Sequence, residues 1–413
     1  MAQGLNGTDG NDEAHVLLII TGGTICMQDS PDGLVPTRDF AHNCLRPHPD
    51  FNEDSSVWES TEVRDEHGGS AFADTLRAPP RTPALGSYKY SVFEFSDLID
   101  SSSIDGSHWS LIMRCLTSNW DQFDAFVVLH GTDTLAYTAS ALAFMLGPLD
   151  KTVLVTGSQL SMYAPHSDAH DNLLDSMTIA ASYKVSEVSV VFHHHLYRAT
   201  RVTKVSAFSV AGFTTPNAKP LASFQRHIGR PWSVFVHSDS IRPADRSRIA
   251  HSKYASIRSD SGPTKLDTSR VAVLKVYPGI SIGLISSIVQ IPNLGGLVLE
   301  TFGAGNIPLS NGSKGLLEIL ADAVERGLVI VSVTQCLTGS VTTAYESARR
   351  MERKGIVTGL DMTTEAAYTK LVYLLSRESL GPQDVANKMR EDLQGELTAD
   401  FREEQRMKDM IQE

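Results

Sequence analysis

The chain of 413 residues lacks several features that would point to particular classes of protein. It has four cysteines and no CxxC pair, which argues against a disulfide framework or a zinc site and favours reduced thiols. No apolar run approaches the roughly 18 residues of a membrane-spanning helix. Acidic residues outnumber basic ones by 48 to 36, for a net charge of −12, so no nucleic-acid or membrane partner is expected.

The beginning of the sequence, MAQGLNGTDGNDEAH, is polar and acidic. It lacks the apolar segment of a secretory signal peptide. Together with the scattered cysteines, this predicts a cytoplasmic location.

Short β-branched runs alternate with segments of helical apolar spacing. Continuous apolar strands of this kind are typical of a sheet that helices cover on both faces, so the sequence predicts an α/β fold with a mainly parallel sheet. The predicted strands are Val16–Ile20, Phe126–Leu129, Thr152–Val155, Val188–Phe192, Val271–Val276, Leu297–Glu300 and Leu328–Val333, and the predicted helices are Tyr137–Leu146, Asn172–Ala181, Leu316–Val324 and Thr364–Leu375.

Two breaks in this pattern predict the domain organisation. Residues 52–87 lack periodicity and contain a proline cluster, which indicates a flexible surface insertion. A polar stretch ending near residue 267 indicates a linker, taken as residues 231–267. We therefore predict a larger N-terminal domain (1–230) and a smaller C-terminal α/β domain (268–413).

The first predicted strand ends abruptly in Thr21-Gly22-Gly23-Thr24. In parallel sheets, ligands bind at the carboxyl ends of the strands, and glycines leave backbone N–H groups accessible to an anion. A tight turn without further function explains this motif equally well.

A second strand ends in His130-Gly131-Thr132-Asp133-Thr134, immediately before a predicted helix. Thr132 or Asp133 could simply cap that helix. Two hydroxyl-bearing turns at one sheet edge, however, favour a binding or catalytic site.

A threonine alcohol is a poor nucleophile unless a base removes its proton. No GxSxG motif is present, which argues against an α/β-hydrolase site. Lys204 follows another predicted strand and could be that base, although most lysines lie at the surface without such a role.

Two segments imitate metal or cofactor motifs. His193-His194-His195 would point to alternate faces if it continued a strand, and GAGNIP has Pro308 where a dinucleotide loop needs its third glycine. The sequence therefore predicts no metal and no cofactor.

Together, Thr21–Ile25 and His130–Thr134 resemble the two signatures of the L-asparaginase family, in its cytosolic type I branch. The flanking segments LIDSSSI, TASALAFML, VTGSQL and ETFGAGN fit the same family. The resemblance implies hydrolysis of L-asparagine to L-aspartate and ammonia, in a homodimer or homotetramer.

The resemblance also implies roles for individual residues. Thr24 matches the attacking threonine, and Thr132, Asp133 and Lys204 match a proton relay. Asp100-Ser101 matches the site of the substrate α-carboxylate, while Asp133 would pair with its α-ammonium and Asn306 would reach the site of a neighbouring subunit.

This sequence has Leu34 where many relatives carry a tyrosine whose phenol approaches the attacking threonine. Tyr345 matches a tyrosine that animal-type relatives supply from elsewhere in the assembly. We therefore predict Tyr345 as the catalytic proton partner.

Two other functions stay open at this point. An amino-acid sensor without turnover would keep Ser101 and Asp133 but would not need the alcohols or Lys204. An amidotransferase subunit would release ammonia for a tRNA-dependent partner. Preference for asparagine or glutamine, which differ by one methylene, depends on pocket loops.

Overall fold

The chain forms two sheets flanked by helices in a computed structural model, which describes residues 13–31, 33–54, 59–80, 86–227, 230–244, 263, 265–309 and 315–398. In chain order the strands are β1 (His15–Ile20), β2 (Met27–Ser30), β3 (Gly33–Pro36), β4 (Glu59–Arg64), β5 (Ser70–Ala78), β6 (Tyr88–Glu94), β7 (Ala125–Leu129), β8 (Thr152–Thr156), β9 (Tyr183–Val185), β10 (Ser189–Phe192), β11 (His195–Arg198), β12 (Thr203–Lys204), β13 (Phe213–Thr214), β14 (Ala222–His227), β15 (Arg230–Val236), β16 (Ile241–Pro243), β17 (Val271–Lys275), β18 (Gly296–Thr301), β19 (Val329–Thr334) and β20 (Val357–Thr358). The helices are α1 (Gly106–Ser118), α2 (Leu135–Leu146), α3 (Ala169–Ser182), α4 (Ile282–Ile288), α5 (Leu316–Glu325), α6 (Glu346–Arg353), α7 (Thr364–Leu375) and α8 (Pro382–Arg390).

The larger sheet has the strand order β15-β14-β11-β10-β8-β7-β1-β6-β5-β4 within the described residues. Its central strands β10, β8, β7, β1 and β6 are parallel, and the outer strands are antiparallel. The smaller sheet, β17-β18-β19-β20, is entirely parallel. This architecture confirms the predicted α/β fold class.

Strand β1 reads HVLLII because both faces of the central sheet are covered. Leu17 and Ile19 belong to the core that α1 and α2 form on one face, whereas Val16 and Leu18 belong to the core formed with α3 on the other. A strand buried on both faces has no polar alternation.

Helix α2 joins the two sheets. It packs between the larger sheet and α7, and every residue except Tyr137 is buried, which explains its apolar sequence on all sides. Ser140 and Thr369 form a buried hydrogen bond of 2.8 Å across this contact.

The junction of the two sheets also contains a buried ion pair. Arg201 lies 2.7 Å from Asp361, and their side chains are only 4% and 0% exposed. Arg201 further donates to the Gly395 carbonyl and the Thr398 hydroxyl, so the end of the described chain is held at the same place. Removal of one partner from such a pair typically costs about 3–5 kcal/mol.

All the strands and helices predicted from the sequence overlap observed elements, with ends that differ by a few residues. Apolar periodicity missed the more polar elements, among them β4, β5, α6 and α8. Their sequences are rich in polar and charged residues, so few apolar residues mark them.

The prediction of a flexible insertion at residues 52–87 is wrong for its central part. Strands β4 and β5 pair with each other and with β6, and so extend the larger sheet to its edge. Residues 55–58 and 81–85 of this segment lie outside the described residues. Strand β4, at the edge of the sheet, exposes most of its residues, whereas β5 buries Ala73 in one core and Leu76 and Ala78 in the other.

The predicted linker, residues 231–267, starts too early. Strand β15 continues to Val236, and β16 pairs with β9, so both belong to the larger unit. Residues 245–262 and 264 lie outside the described residues. The boundary of the second domain stays a prediction. None of the described helices combines the length and apolar character needed to cross a membrane.

Candidate active site

Three adjacent parallel strands of the larger sheet end in glycine-containing turns at the same edge. Strand β1 ends before Thr21–Thr24, β7 before Gly131–Asp133, and β8 before Gly157–Gln159. The backbone and the side chain of Thr21 both donate to the Leu129 carbonyl, at 3.1 and 2.8 Å, which continues the β1–β7 pairing into the turns.

The turns approach each other too closely for side chains. A Cβ on Gly23 would lie 2.4 Å from the Gly131 nitrogen, and a Cβ on Gly157 would lie 2.2 Å from the His130 oxygen. Gly23 also has φ 94°, a conformation that residues with a Cβ rarely adopt. The glycines thereby bring the turn carrying Thr24 into contact with the turn carrying Thr132.

Thr24 begins a short 3₁₀ turn that ends at Cys26, and it is partly exposed. The antiparallel hairpin β2–β3 follows directly, with Asp29 opposite Leu34. Leu34 is 47% exposed on this hairpin. The chain therefore presents an alcohol at the sheet edge beside a hairpin that carries an apolar side chain.

Thr132, Asp133 and Lys204 form one hydrogen-bonded group. Lys204 Nζ donates to the Thr132 hydroxyl at 2.8 Å and to an Asp133 carboxylate oxygen at 2.7 Å. The Lys204 side chain is only 18% exposed, whereas that of Asp133 is 66% exposed. An alcohol, an amine and a carboxylate are thus in contact at the sheet edge.

The backbone preceding Lys204 is held against the second domain. Thr203 donates to the Glu365 carboxylate at 2.6 Å, and Arg201 forms the buried ion pair with Asp361. Burial raises the pKa of Glu365. Both partners of this segment belong to the junction near α7, so the position of Lys204 depends on how the two sheets pack.

Gln159 is a member of this group that the sequence analysis did not single out. Its Oε1 lies 3.3 Å from the Thr132 hydroxyl, and its Nε2 donates to the carbonyls of Ser206 and Ser209 at 3.0 Å each. The available signal was the third strand end, where Gly157-Ser158-Gln159 follows an apolar strand as Gly23-Thr24 and Gly131-Thr132 do.

Ser101 lies directly behind the second turn. It is 3% exposed, and its hydroxyl oxygen would be 2.4 Å from a Cβ on Gly131. Thr134 donates to the Ser101 carbonyl at 2.7 Å, while the Asp100 side chain accepts from the Ser102 N–H at 3.0 Å. The segment predicted to bind a carboxylate is therefore packed against the Thr132 turn.

A buried chain of hydrogen bonds supports the turn that carries Thr132. The Trp109 indole donates to the Thr138 hydroxyl at 2.9 Å, which lies 2.9 Å from His130 Nε2. His130 Nδ1 lies 2.7 Å from the Gly131 carbonyl. Since a carbonyl only accepts, His130 carries a proton on Nδ1. Burial lowers the pKa of His130 to about 4, which favours the neutral ring with Nε2 as an acceptor for the Thr138 hydroxyl.

Asn306 and Tyr345 lie in the second domain. Asn306 exchanges two backbone hydrogen bonds with Phe302, and Tyr345 precedes α6 with 54% of its surface exposed. Among the described residues of this single chain, no hydrogen bond or ion pair joins either side chain to Thr24 or to the Lys204 group. Their predicted roles stay predictions.

The three consecutive histidines do not continue a strand, so that part of the sequence interpretation is wrong. His193 and His194 form the turn between β10 and β11, with φ values of 45° and 60°. His194 lies 2.9 Å from Asp175, and His195 Nδ1 lies 2.8 Å from the His193 carbonyl.

Two family models match this chain. The model described as asparaginase, N-terminal, matches residues 15–234, and the glutaminase/asparaginase C-terminal domain matches residues 270–389. The chain belongs to the asparaginase family. This result confirms the resemblance seen in the two glycine turns.

Relatives of known name span most of the chain. L-asparaginase 1 of Escherichia coli K12 is 33% identical over 386 residues, which cover 93% of this chain and 98% of the relative. The mouse 60 kDa lysophospholipase is 38% identical over 387 residues, or 94% of this chain. This chain spans 63% of the length of that protein and of its human counterpart.

Solved structures agree with the fold. The crystal structure of L-asparaginase I from Vibrio cholerae matches with a TM-score of 0.73 and 33% identity, over 94% of this chain and 99% of that one. The L-asparaginase from Thermococcus kodakarensis matches with a TM-score of 0.69 and 28% identity, over 93% and 99% of the two chains. The similarity to type I proteins extends through both sheets.

We predict that Gly23→Ala destabilises the protein more than Gly68→Ala does. Gly68 has a similar φ of 89° but no atom within 4 Å of the position that a Cβ would take. The loss of stability in Gly68→Ala therefore measures backbone strain alone, about 1–2 kcal/mol. The contact with Gly131 should add about 1–3 kcal/mol. Urea unfolding measures both variants, and equal losses would contradict the close approach of the turns.

We also predict that His130 makes folding stability depend on pH. The unfolded chain takes up a proton near pH 6.5, while the folded chain resists protonation until about pH 4. The contribution of neutral His130 to the free energy of unfolding is therefore fully present above pH 6.5, and it is lost as the pH falls from 6.5 to about 4. Between about pH 7.5 and pH 5 the loss should be about 2 kcal/mol.

Urea unfolding of His130→Asn at both pH values provides the comparison. The variant should lose this part of the pH dependence, whereas His67→Asn should retain it, since the His67 side chain is 66% exposed. The same pH slope in wild type and His130→Asn would disprove the assignment.

Proposed function

We propose that this protein hydrolyses the side-chain amide of L-asparagine to give L-aspartate and ammonia. The observation that carries the proposal is the contact of Lys204 with Thr132 and Asp133, at 2.8 and 2.7 Å, beside the turn with Thr24. Membership of the asparaginase family supports the reaction class.

In the proposed first step, the Thr24 hydroxyl attacks the amide carbon. The Thr24 Oγ–carbon bond forms, the carbon–nitrogen bond breaks, and ammonia leaves with the proton of the alcohol. Backbone N–H groups of the glycine turns would hold the negative oxygen of the tetrahedral intermediate. Loss of one such donor typically slows a reaction about a hundred- to a thousandfold.

In the proposed second step, water cleaves the Thr24 ester. Thr132 would take a proton from the water as its own hydroxyl proton passes to Lys204 Nζ, while Asp133 stabilises the resulting ammonium. The water oxygen then bonds to the acyl carbon, aspartate leaves, and Thr24 regains its proton. A relay separate from the attacking alcohol suits a mechanism with two nucleophiles.

Recognition of the amino-acid end needs one carboxylate and several donors. The exposed Asp133 carboxylate suits the substrate ammonium, and Ser101 with the adjoining Asp100 segment suits its carboxylate. Asn306 would complete the site of a neighbouring subunit, which makes a homodimer or homotetramer the expected active form. Oligomeric state and cytoplasmic location both stay predictions.

Names of relatives suggest other activities. Relatives include 60 kDa lysophospholipases and a glutamyl-tRNA(Gln) amidotransferase subunit of Methanobrevibacter smithii, the last being 30% identical over 341 residues. Ester hydrolysis could use the same activated alcohol. We favour the small amide because the exposed Asp133 carboxylate stands beside the alcohols, where the ammonium group of an amino acid can pair with it.

Thr24→Ala should reduce ammonia release from asparagine by about a thousandfold or more, because the variant lacks the hydroxyl that receives the acyl group in the proposed first step. Purified wild-type and variant proteins are compared on asparagine, glutamine and lysophosphatidylcholine, with Thr117→Ala as the control. The Thr117 hydroxyl donates within α1, to the Met113 and Arg114 carbonyls. Equal ammonia release by wild type and Thr24→Ala would contradict the proposed mechanism.

The remaining outcomes of this comparison separate the alternatives. A wild-type protein that binds asparagine without releasing ammonia would be a sensor. Fatty-acid release that depends on Thr24, without ammonia release, would indicate a lysophospholipase.

Lys204→Met should lower kcat by about a hundred- to ten-thousandfold, with a smaller effect on KM, because methionine fills the space without accepting a proton. Lys89→Met is the matched control, since Lys89 pairs with the exposed Glu59 at 3.2 Å. Steady-state kinetics at saturating asparagine measures both. A kcat that is unchanged by Lys204→Met would exclude the relay.

Tyr345→Phe should slow formation of the acyl-enzyme by about tenfold or more, because Leu34 cannot transfer a proton. Tyr277→Phe, at another partly exposed tyrosine of the second domain, should have no such effect. The double variant Leu34→Tyr/Tyr345→Phe should regain activity by supplying a phenol from the hairpin. Full activity of Tyr345→Phe in single-turnover kinetics would rule out its role.

A further inference from the structure

A cluster of imidazoles and carboxylates lies on the larger domain outside the proposed active site. His48, Asp50 and His170 each offer a ligand atom, and these atoms lie within 4.8 Å of one another. His170 Nε2 is 2.9 Å from an Asp50 oxygen, and the rings of His48 and His170 have centroids 4.9 Å apart. The residues come from segments about 120 positions apart in the chain.

We propose that His48, Asp50 and His170 bind one divalent transition-metal ion of the zinc class. Two imidazoles and one carboxylate are a common protein ligand set for zinc, with a water in the fourth position. Bonds of about 2.0–2.2 Å place neighbouring tetrahedral ligands about 3.3 Å apart. The cation would replace the proton that His170 and Asp50 share, and a small closing movement would bring in His48.

The ligands are held by two rigid segments. Backbone N–H groups of Phe51 and Asn52 donate to the His48 carbonyl, and the buried Phe51 is held by a hydrogen bond from Tyr90. His170 lies in the first turn of α3, which packs on the sheet. Preorganised ligands of this kind lower the ordering cost of metal binding.

Asp171 and Asp175 extend the group of imidazoles and carboxylates beyond the ligands. Asp171 lies 3.4 Å from His170 Nδ1, the arrangement by which a carboxylate commonly orients a metal-bound imidazole. Asp171 is also 3.8 Å from His194 Nε2, and the buried Asp175 is 2.9 Å from His194 Nδ1. The Asp50 and Asp171 carboxylates beside His170 favour the binding of a cation.

The site is accessible to a fourth ligand. The side chains of His170 and Asp50 are 28% and 45% exposed. His48 and His170 line a cleft together with Met162, Tyr163 and His166. A water from this cleft would complete a tetrahedral set. The cluster therefore has the ligand types and the access that zinc requires, and a small movement of His48 would complete the spacing.

The test is calorimetric titration of the full chain, without a polyhistidine tag and after treatment with a chelator, with zinc chloride. We expect one strongly bound ion per chain and a higher Tm in its presence. His48→Asn and His170→Asn should each weaken binding by about tenfold or more. His67→Asn, which alters an exposed histidine next to Glu66, should bind zinc as the wild type does.

Asp50→Asn tests the same site with less risk to folding, because an amide still accepts a hydrogen bond from His170. Circular dichroism verifies that each variant is folded, and cobalt absorption in place of zinc reports tetrahedral coordination. Weakened binding in folded Asp50→Asn supports the site. Absence of binding by wild type, or equal binding by the His48→Asn/His170→Asn double variant and wild type, would overturn it.

Discussion

The close approach of two glycine turns is the constraint on which the candidate site depends. Strands β1 and β7 are neighbours in register, so Ile20 lies beside Leu129 and the two chains leave the sheet together. Only residues without a Cβ allow Gly23 and Gly131 to come into contact. As a result, hydroxyl groups that are more than a hundred residues apart in the chain are presented at one edge. The third turn, at Gly157, adds Gln159 by the same geometry.

Contacts from the second domain determine where the amine lies. Lys204 belongs to a two-residue strand that could not hold its position alone. Arg201 and Thr203 are bonded to Asp361 and Glu365, so the segment is positioned by the junction between the sheets. The proposed chemistry therefore combines alcohols from one sheet edge with an amine whose place depends on domain packing.

The hydrogen-bonded chain behind the Thr132 turn is buried, whereas the part of the site that carries Asp133 is exposed. Trp109, Thr138 and His130 form a directional chain in which each donor has one acceptor, and His130 stays neutral because charge is costly at full burial. Asp133, by contrast, is open to solvent and available to a ligand. A rigid interior and an accessible carboxylate suit a site that must bind a small charged molecule and release its product.

The sequence by itself determined the α/β class, the main strands and helices, and the strand ends at which Thr24, Thr132 and Asp133 lie. Those features follow from local patterns: apolar runs make strands, and glycine with hydroxyl residues ends them. The edge hairpin at β4–β5 was missed because its strands are rich in polar and charged residues. Only the tertiary structure decided that Lys204 contacts Thr132, that Gln159 joins them, and that His48 meets His170. Such contacts depend on strand order and domain packing, which bring together residues that no local pattern relates.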